Sequence, residues 1–121
     1  QLSKKYIQLY AGSLESYQSA SSEIFIHDCY DISKDQIKML SDHIKTKSQD
    51  SISILSQKNN GSVYLSIGVS KKCKHKYNAK NIIGELQKKF TCKGGGSETF
   101  ATLIVEDNNV TSIINYVKSL L

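Results

Sequence analysis

Apolar and polar positions recur along this chain with two different periods, and the switches between them mark out the elements. Leu2, Tyr6, Leu9 and Ser13 follow a 2-6-9-13 spacing, with Tyr10, Leu14 and Tyr17 alongside. This is a helical period with heptad character, and it predicts one amphipathic helix to about Ser19, followed by a short Ser, Ala and Glu connector. The run from Ile24 to Tyr30 is short, β-branched and aromatic, which predicts a strand. Ser33-Lys34-Asp35-Gln36 reads as a capping box. After it, Ile37, Leu40 and Ile44 line one face of a helix to about Lys47. Ser51 to Ser56 and Ser62 to Val69 read as strands, and Asn59-Asn60-Gly61 between them is a turn signal, so the two form an antiparallel hairpin.

Lys71 to Tyr77 reads as a basic loop. Asn78 is placed to cap a helix whose buried stripe is Ile82, Ile83, Leu86 and Phe90. Cys92-Lys93-Gly94-Gly95-Gly96-Ser97 reads as a flexible glycine loop, and Phe100 to Val105 as a fourth strand. Asp107, Asn108 and Asn109 form a turn and N-cap before a last helix with the stripe Val110, Ile113, Ile114, Val117 and Leu121. The expected fold class is α/β, α+β-like: an N-terminal linker helix, then βαββαβα, in a two-layer domain on a small mixed sheet. Residues 1–18 are expected to be the end of a linker or dimerisation helix, and residues 19–121 the globular domain. No internal repeat is present.

Composition narrows the class. At 121 residues the chain is one domain, long enough to bury about two thirds of its unfolded surface. No apolar run approaches the roughly 18–20 residues of a membrane span, so no membrane partner is expected. Three scattered cysteines do not form the even framework of a small secreted domain; free thiols fit a reducing cytoplasm. The chain opens with Gln1 and shows no signal-peptide pattern, as expected of a piece of a longer protein. Every cation is Lys, and Arg and Pro are absent, which fits a genome-level codon bias.

Charge changes the picture more. The formal net charge is +5, but residues 71–93 hold eight Lys against the single Glu85, a local +7, leaving −2 for the remainder. A localised excess of this sign suits a polyanion, because neutralising phosphates releases condensed counterions. The same lysines would also serve a solvated loop and helix face.

Other chemistry is sparser. Three successive glycines after Lys93 let backbone N–H groups approach an anion closely. The segment is neither a P-loop nor a dinucleotide fingerprint, because it leads from a helix into a strand. His27 with Cys29, and Cys73 with His75, have matching spacings, but neither spacing is typical of zinc knuckles, and no metal is expected. No pattern orients a Cys–His or Ser–His pair, and no two acids suit acid–base work, so no catalytic residue and no cofactor are expected. Tyr77, inside the lysine cluster, is placed either to stack on a base or ribose or to pack its ring at the start of the following helix with its hydroxyl exposed.

The order of these elements, with Lys93-Gly94-Gly95-Gly96 and Ala101, resembles the C-terminal, DHH-associated domain of alanyl-tRNA synthetases, a family found also in DHH phosphodiesterases. Gly68-Val69-Ser70-Lys71 is similar to the family's Gly-Val-Thr-Lys after its hairpin, and Asn78-Ala79-Lys80-Asn81-Ile82 to the start of its next helix. Ser97 stands where the family pattern has Arg. The resemblance implies a non-catalytic domain that binds the outer corner of tRNA, joins aminoacylation to editing within its synthetase, and can dimerise through the preceding helix. On this reading Lys71, Lys72, Lys74, Lys76, Lys88, Lys89 and Lys93 contact phosphates, Gly94, Gly95 and Gly96 give close backbone approach, and Tyr77 offers stacking. Two other readings are an oligomerisation module acting through the N-terminal helix and the substrate-binding accessory domain of a DHH phosphodiesterase.

Overall fold

The structure is a computed structural model that describes residues 2–19, 22–29, 32–59, 61–73, 77–90, 92–106 and 109–121. Its elements are α1 (Leu2–Ser13), β1 (Tyr17–Ser19), β2 (Ser22–Asp28), α2 (Lys34–Lys47), β3 (Ser51–Asn59), β4 (Ser62–Val69), α3 (Ala79–Lys89), β5 (Lys93–Gly96), β6 (Phe100–Glu106) and α4 (Val110–Leu120). The strands form one sheet in the order β1-β2-β3-β4-β6-β5. Only β2 and β3 run parallel, and α2 supplies the crossover that a parallel pair requires. All other neighbours are antiparallel.

Local chemistry fixes the element ends. The Ser33 hydroxyl accepts from the Gln36 N–H while the Gln36 side chain accepts from the Ser33 N–H, completing the capping box of α2. The Asn78 side chain accepts from the Asn81 N–H at the start of α3. Gly61 closes the β3–β4 hairpin at φ +86, a conformation that disfavours a side chain. Asn109 precedes α4 as its N-cap without a side-chain bond to it.

The sheet carries helices on both faces. On one side α3 and α4 bury Ile82, Leu86, Ile113 and Val117 over Ile24, Ile54, Leu65, Ile67 and Leu103. On the other, α1 and α2 bury Ile7, Ala11, Ile37, Leu40 and Ile44 over Phe25, Cys29 and Leu55. The mixed sheet and the four helices stand as expected, but the strands number six rather than four and the layers three rather than two. The reason lies in adjacent pairs such as Ile24-Phe25 and Ile54-Leu55, which put large apolar side chains on opposite faces of one strand. The approach of α2 to the sheet also explains Gly68: a Cβ there would run into Ser41 of α2 and meet the Ser53 hydroxyl at 2.8 Å.

Three expectations change. The first helix ends at Ser13, not near Ser19, and Tyr17 pairs with Ile24 as part of edge strand β1. The face that α1 buries is Ile7 and Ala11, with Tyr10 and Leu14 packed beside them, whereas Leu9 is 69% exposed. The glycine segment is not a loop: Lys93–Gly96 is edge strand β5, paired with β6 from Lys93↔Ile104 to Gly96↔Ala101. Neither β1 nor β5 contains a buried apolar alternation, so neither shows in a periodicity reading.

Candidate nucleic-acid interface

The turn after β4 carries Lys71 and Lys72, and serines hold it in place. The Ser70 hydroxyl accepts from the Ser51 N–H at 2.9 Å and donates to the Gln49 carbonyl at 2.7 Å. The Val69 N–H donates to the Thr99 carbonyl at 2.8 Å, and the Ser70 N–H to the Ser51 carbonyl at 3.0 Å. These bonds tie the turn to the α2–β3 connection and to the start of β6. The result is a cleft of about 500 Å³ lined by Lys45, Thr46, Gln49, Val69, Ser70, Lys71, Lys72 and Thr99. Its lining holds three ammonium groups and no carboxylate. Burial lowers the pKa of Lys45 below its ordinary 10.5, and the nearby Lys38 adds to this, while Asp42 opposes it. Such a cleft favours an anion, which compensates the water that Lys45 has lost and pairs with the exposed Lys71 and Lys72.

The predicted lysines do not form one cluster. Lys71 and Lys72 are exposed at the cleft, whereas Lys88 and Lys89 occupy the last turn of α3. The Ala79 N–H at the first residue of α3 donates to the Glu98 carbonyl, beside the cleft residue Thr99. The length of α3 thus carries Lys88 and Lys89 about 15 Å along the helix from that end. Lys88 pairs with Glu85 at 3.4 Å, and the Lys89 ammonium lies 4.4 Å from the centre of the Tyr116 ring. Lys93 is exposed on β5. Lys74 and Lys76 lie outside the described residues, as does His75.

Tyr77 packs against the core, half-buried, and its hydroxyl donates to the Leu121 carbonyl at 2.9 Å. The ring thus packs, but its hydroxyl is bonded to the main chain rather than exposed. Gly94 and Gly96 serve strand pairing. A Cβ on Gly94 would run into the Thr102 carbonyl oxygen and the Leu103 main chain, and one on Gly96 into the main chain of Phe100 and Ala101. Gly95, between them, faces open space.

Cys29 and Cys73 belong to the cores on opposite faces of the sheet, so the two cysteines cannot share a metal ion. His27 Nε2 lies 2.6 Å from the Glu15 carbonyl oxygen. No group of three or more metal-type side chains gathers among the described residues, and no helix among them is long and apolar enough to cross a membrane.

Lys45, Thr46, Gln49 and Thr99 were not marked by the sequence reading. Lys34, Lys38 and Lys45 share one face of α2, spaced four and seven residues apart; that spacing was the available signal, hidden by the interspersed Asp35 and Asp42.

The model of the DHHA1 domain matches residues 21–121. The chain belongs to the DHHA1 domain family. Among solved structures, this DHHA1 domain is similar to the C-Ala domain of Aquifex aeolicus alanyl-tRNA synthetase, at 18% identity and a TM-score of 0.78, covering 89% of this chain and 98% of that one. It also matches a DHH-domain member of the S1p family of ribosomal proteins, at 13% identity and a TM-score of 0.71. A third match is the pGpG-specific phosphodiesterase PggH from Vibrio cholerae, at 14% identity and a TM-score of 0.59. The chain spans 30% and 39% of the lengths of these last two. No curated protein sequence matches. At such identities the likeness is one of fold, and the fold is that of the C-Ala domain.

Proposed function

We propose that this DHHA1 domain is a non-catalytic RNA-binding module that grips tRNA as the C-terminal domain of an alanine–tRNA ligase. Its partners on this reading are the outer corner of an alanine tRNA and the rest of the parent synthetase, within which it helps couple aminoacylation to editing. The observation that carries the reading is the cleft of Lys45, Lys71 and Lys72, which gathers three cations without a carboxylate. Lys acts there as a point charge on phosphate rather than as a bidentate fork. Lys93, with Lys88 and Lys89 on the far end of α3, extends the contact by long-range attraction.

Binding is measured by fluorescence anisotropy with labelled tRNA, across a salt series. The Lys71→Glu, Lys72→Glu double variant is expected to bind at least about tenfold more weakly, with a shallower salt dependence. Unchanged affinity would falsify the assignment of the cleft.

Self-association is a second reading, favoured by one observation: Leu9 stands 69% exposed on α1. Sedimentation of the chain and of its Leu9→Glu variant tests it; a dimer that survives the substitution does not use this face.

A further inference from the structure

We infer that the uncovered face of the sheet over β6 and β5, bordered by the lysine edge of α2, receives unpaired nucleotides of a bound RNA. The inference rests on the RNA-binding reading and specifies the kind of RNA structure recognised.

The face follows from strand register. Tyr64, Ile104 and Lys93 are paired across β4, β6 and β5, so they stand in one row on one side of the sheet. Ser66, Thr102 and Gly95 form the next row, and Gly68 with Phe100 the third. On this side α1 and α2 close over β2, β3 and part of β4. Beyond them the sheet is open: Ile104 is 47% exposed, and a side chain at Gly95 would meet nothing. From Phe100 to Ile104 is about 13 Å along the strand, and β4 to β5 about 10 Å across it, enough for one or two bases lying flat.

The border is cationic. Lys34 of α2 stands 5.1 Å from the centre of the Tyr64 ring, and Lys38 and Lys45 stand 4.6 and 5.8 Å from that of Phe100. Lys93 closes the opposite side. Acids are present too: Asp42 pairs with Lys38 at 3.1 Å, and Asp35 lies close enough to Tyr64 to act on it. Lys45 also lines the cleft, and Thr99 of the cleft precedes Phe100. The open face is therefore continuous with the cleft of Lys45, Lys71 and Lys72.

An open floor of Ile104, Thr102 and Gly95, set between Lys93 and the lysine edge of α2, suits bases on the floor and phosphates on the border. An added peptide strand is the poorer occupant, because Gln87 of α3 already donates to the Gly94 carbonyl of β5 at 3.2 Å.

The test uses the chain with labelled oligouridylate and with tRNA. The variant is Gly95→Glu, which projects a carboxylate into the open face where nothing obstructs it. Expected are oligouridylate binding by the unaltered chain, a loss of at least about tenfold in the variant, an unchanged melting temperature, and photo-crosslinks on β4 or β6. If the variant binds oligouridylate as the unaltered chain does, or if polyglutamate and not RNA occupies the face, the inference is overturned. It falls alone if tRNA binding remains sensitive to Lys71→Glu, Lys72→Glu but not to Gly95→Glu. If the unaltered chain binds neither RNA, the functional reading falls with it.

Discussion

The Tyr77 hydroxyl donates to the main-chain carbonyl of Leu121 at 2.9 Å, tying the segment before α3 to the residue that follows α4. The bond spans 44 positions of sequence and is partly buried, so its loss is expected to register as stability. Tyr77→Phe should cost about 1 kcal/mol in urea unfolding. Tyr77→Leu should cost more, yet leave tRNA affinity unchanged, because the ring is engaged inside the protein. A tenfold or so weaker complex in the Leu variant would show instead that the ring stacks on a base.

Two adjacent glycines are expected to respond differently to the same substitution. A methyl at Gly94 collides with the Thr102 carbonyl, so Gly94→Ala should destabilise by about 1–3 kcal/mol. Gly95→Ala meets nothing and should be neutral or slightly stabilising, since alanine has fewer conformations to lose. Chemical denaturation of both variants decides. Equal effects would mean that β5 is not paired to β6 in the register described.

Helices α2 and α3 were the most legible part of the sequence, because Ser33 and Asn78 announce their starts and stripes such as Ile37-Leu40-Ile44 and Ile82-Ile83-Leu86 repeat at helical spacing; in α1 the 2-6-9-13 stripe pointed to Leu9, which is exposed. The four apolar strands were legible for the same kind of reason. Strands β1 and β5 were not: Tyr17–Ser19 is too short for a pattern, and Lys93–Gly96 has no apolar side chain. They are edge strands, held by main-chain pairing to a neighbour whose own pattern is clear, and that information lies in β2 and β6. The site was legible only in part. Linear charge density pointed to Lys71 and Lys72, but it could not show that α3 carries Lys88 and Lys89 away from them. Nor could it show that Lys45, separated from Lys71 by two strands, completes the cleft.

Cys29 gives a pH dependence with a definite sign. Burial pushes its thiol from 9.0 up to about 11, with Asp28 adding to the shift and a hydrogen bond with Tyr10 opposing it. The folded state thus holds the proton longer than the unfolded one. This contribution is complete below pH 9.0 and is lost as pH rises from there through about 11. The loss is on the order of 2–3 kcal/mol. Denaturation of the chain and of Cys29→Ala across this range should show the steeper fall in the unaltered chain; parallel curves would refute the burial of this thiol. At neutral pH the half-buried Cys92 should react with a thiol reagent before Cys29 does.

Lys45 should show opposite signs for stability and for binding. Burial and the neighbouring Lys38 both disfavour its charge, so its folded-state pKa lies below the unfolded 10.5. The folded chain therefore carries a penalty while Lys45 is charged, and that penalty fades as pH rises toward 10.5. Lys45→Met keeps an unbranched apolar stem against Phe100 and removes the charge, so the variant should be as stable as the unaltered chain or more so. Its affinity for tRNA should nevertheless fall, and the slope of log affinity against log salt should become shallower by about one. Melting curves and anisotropy titrations over a salt series measure the two effects separately. A variant that loses stability and keeps its salt slope would make Lys45 a structural residue of α2 and remove it from the RNA path.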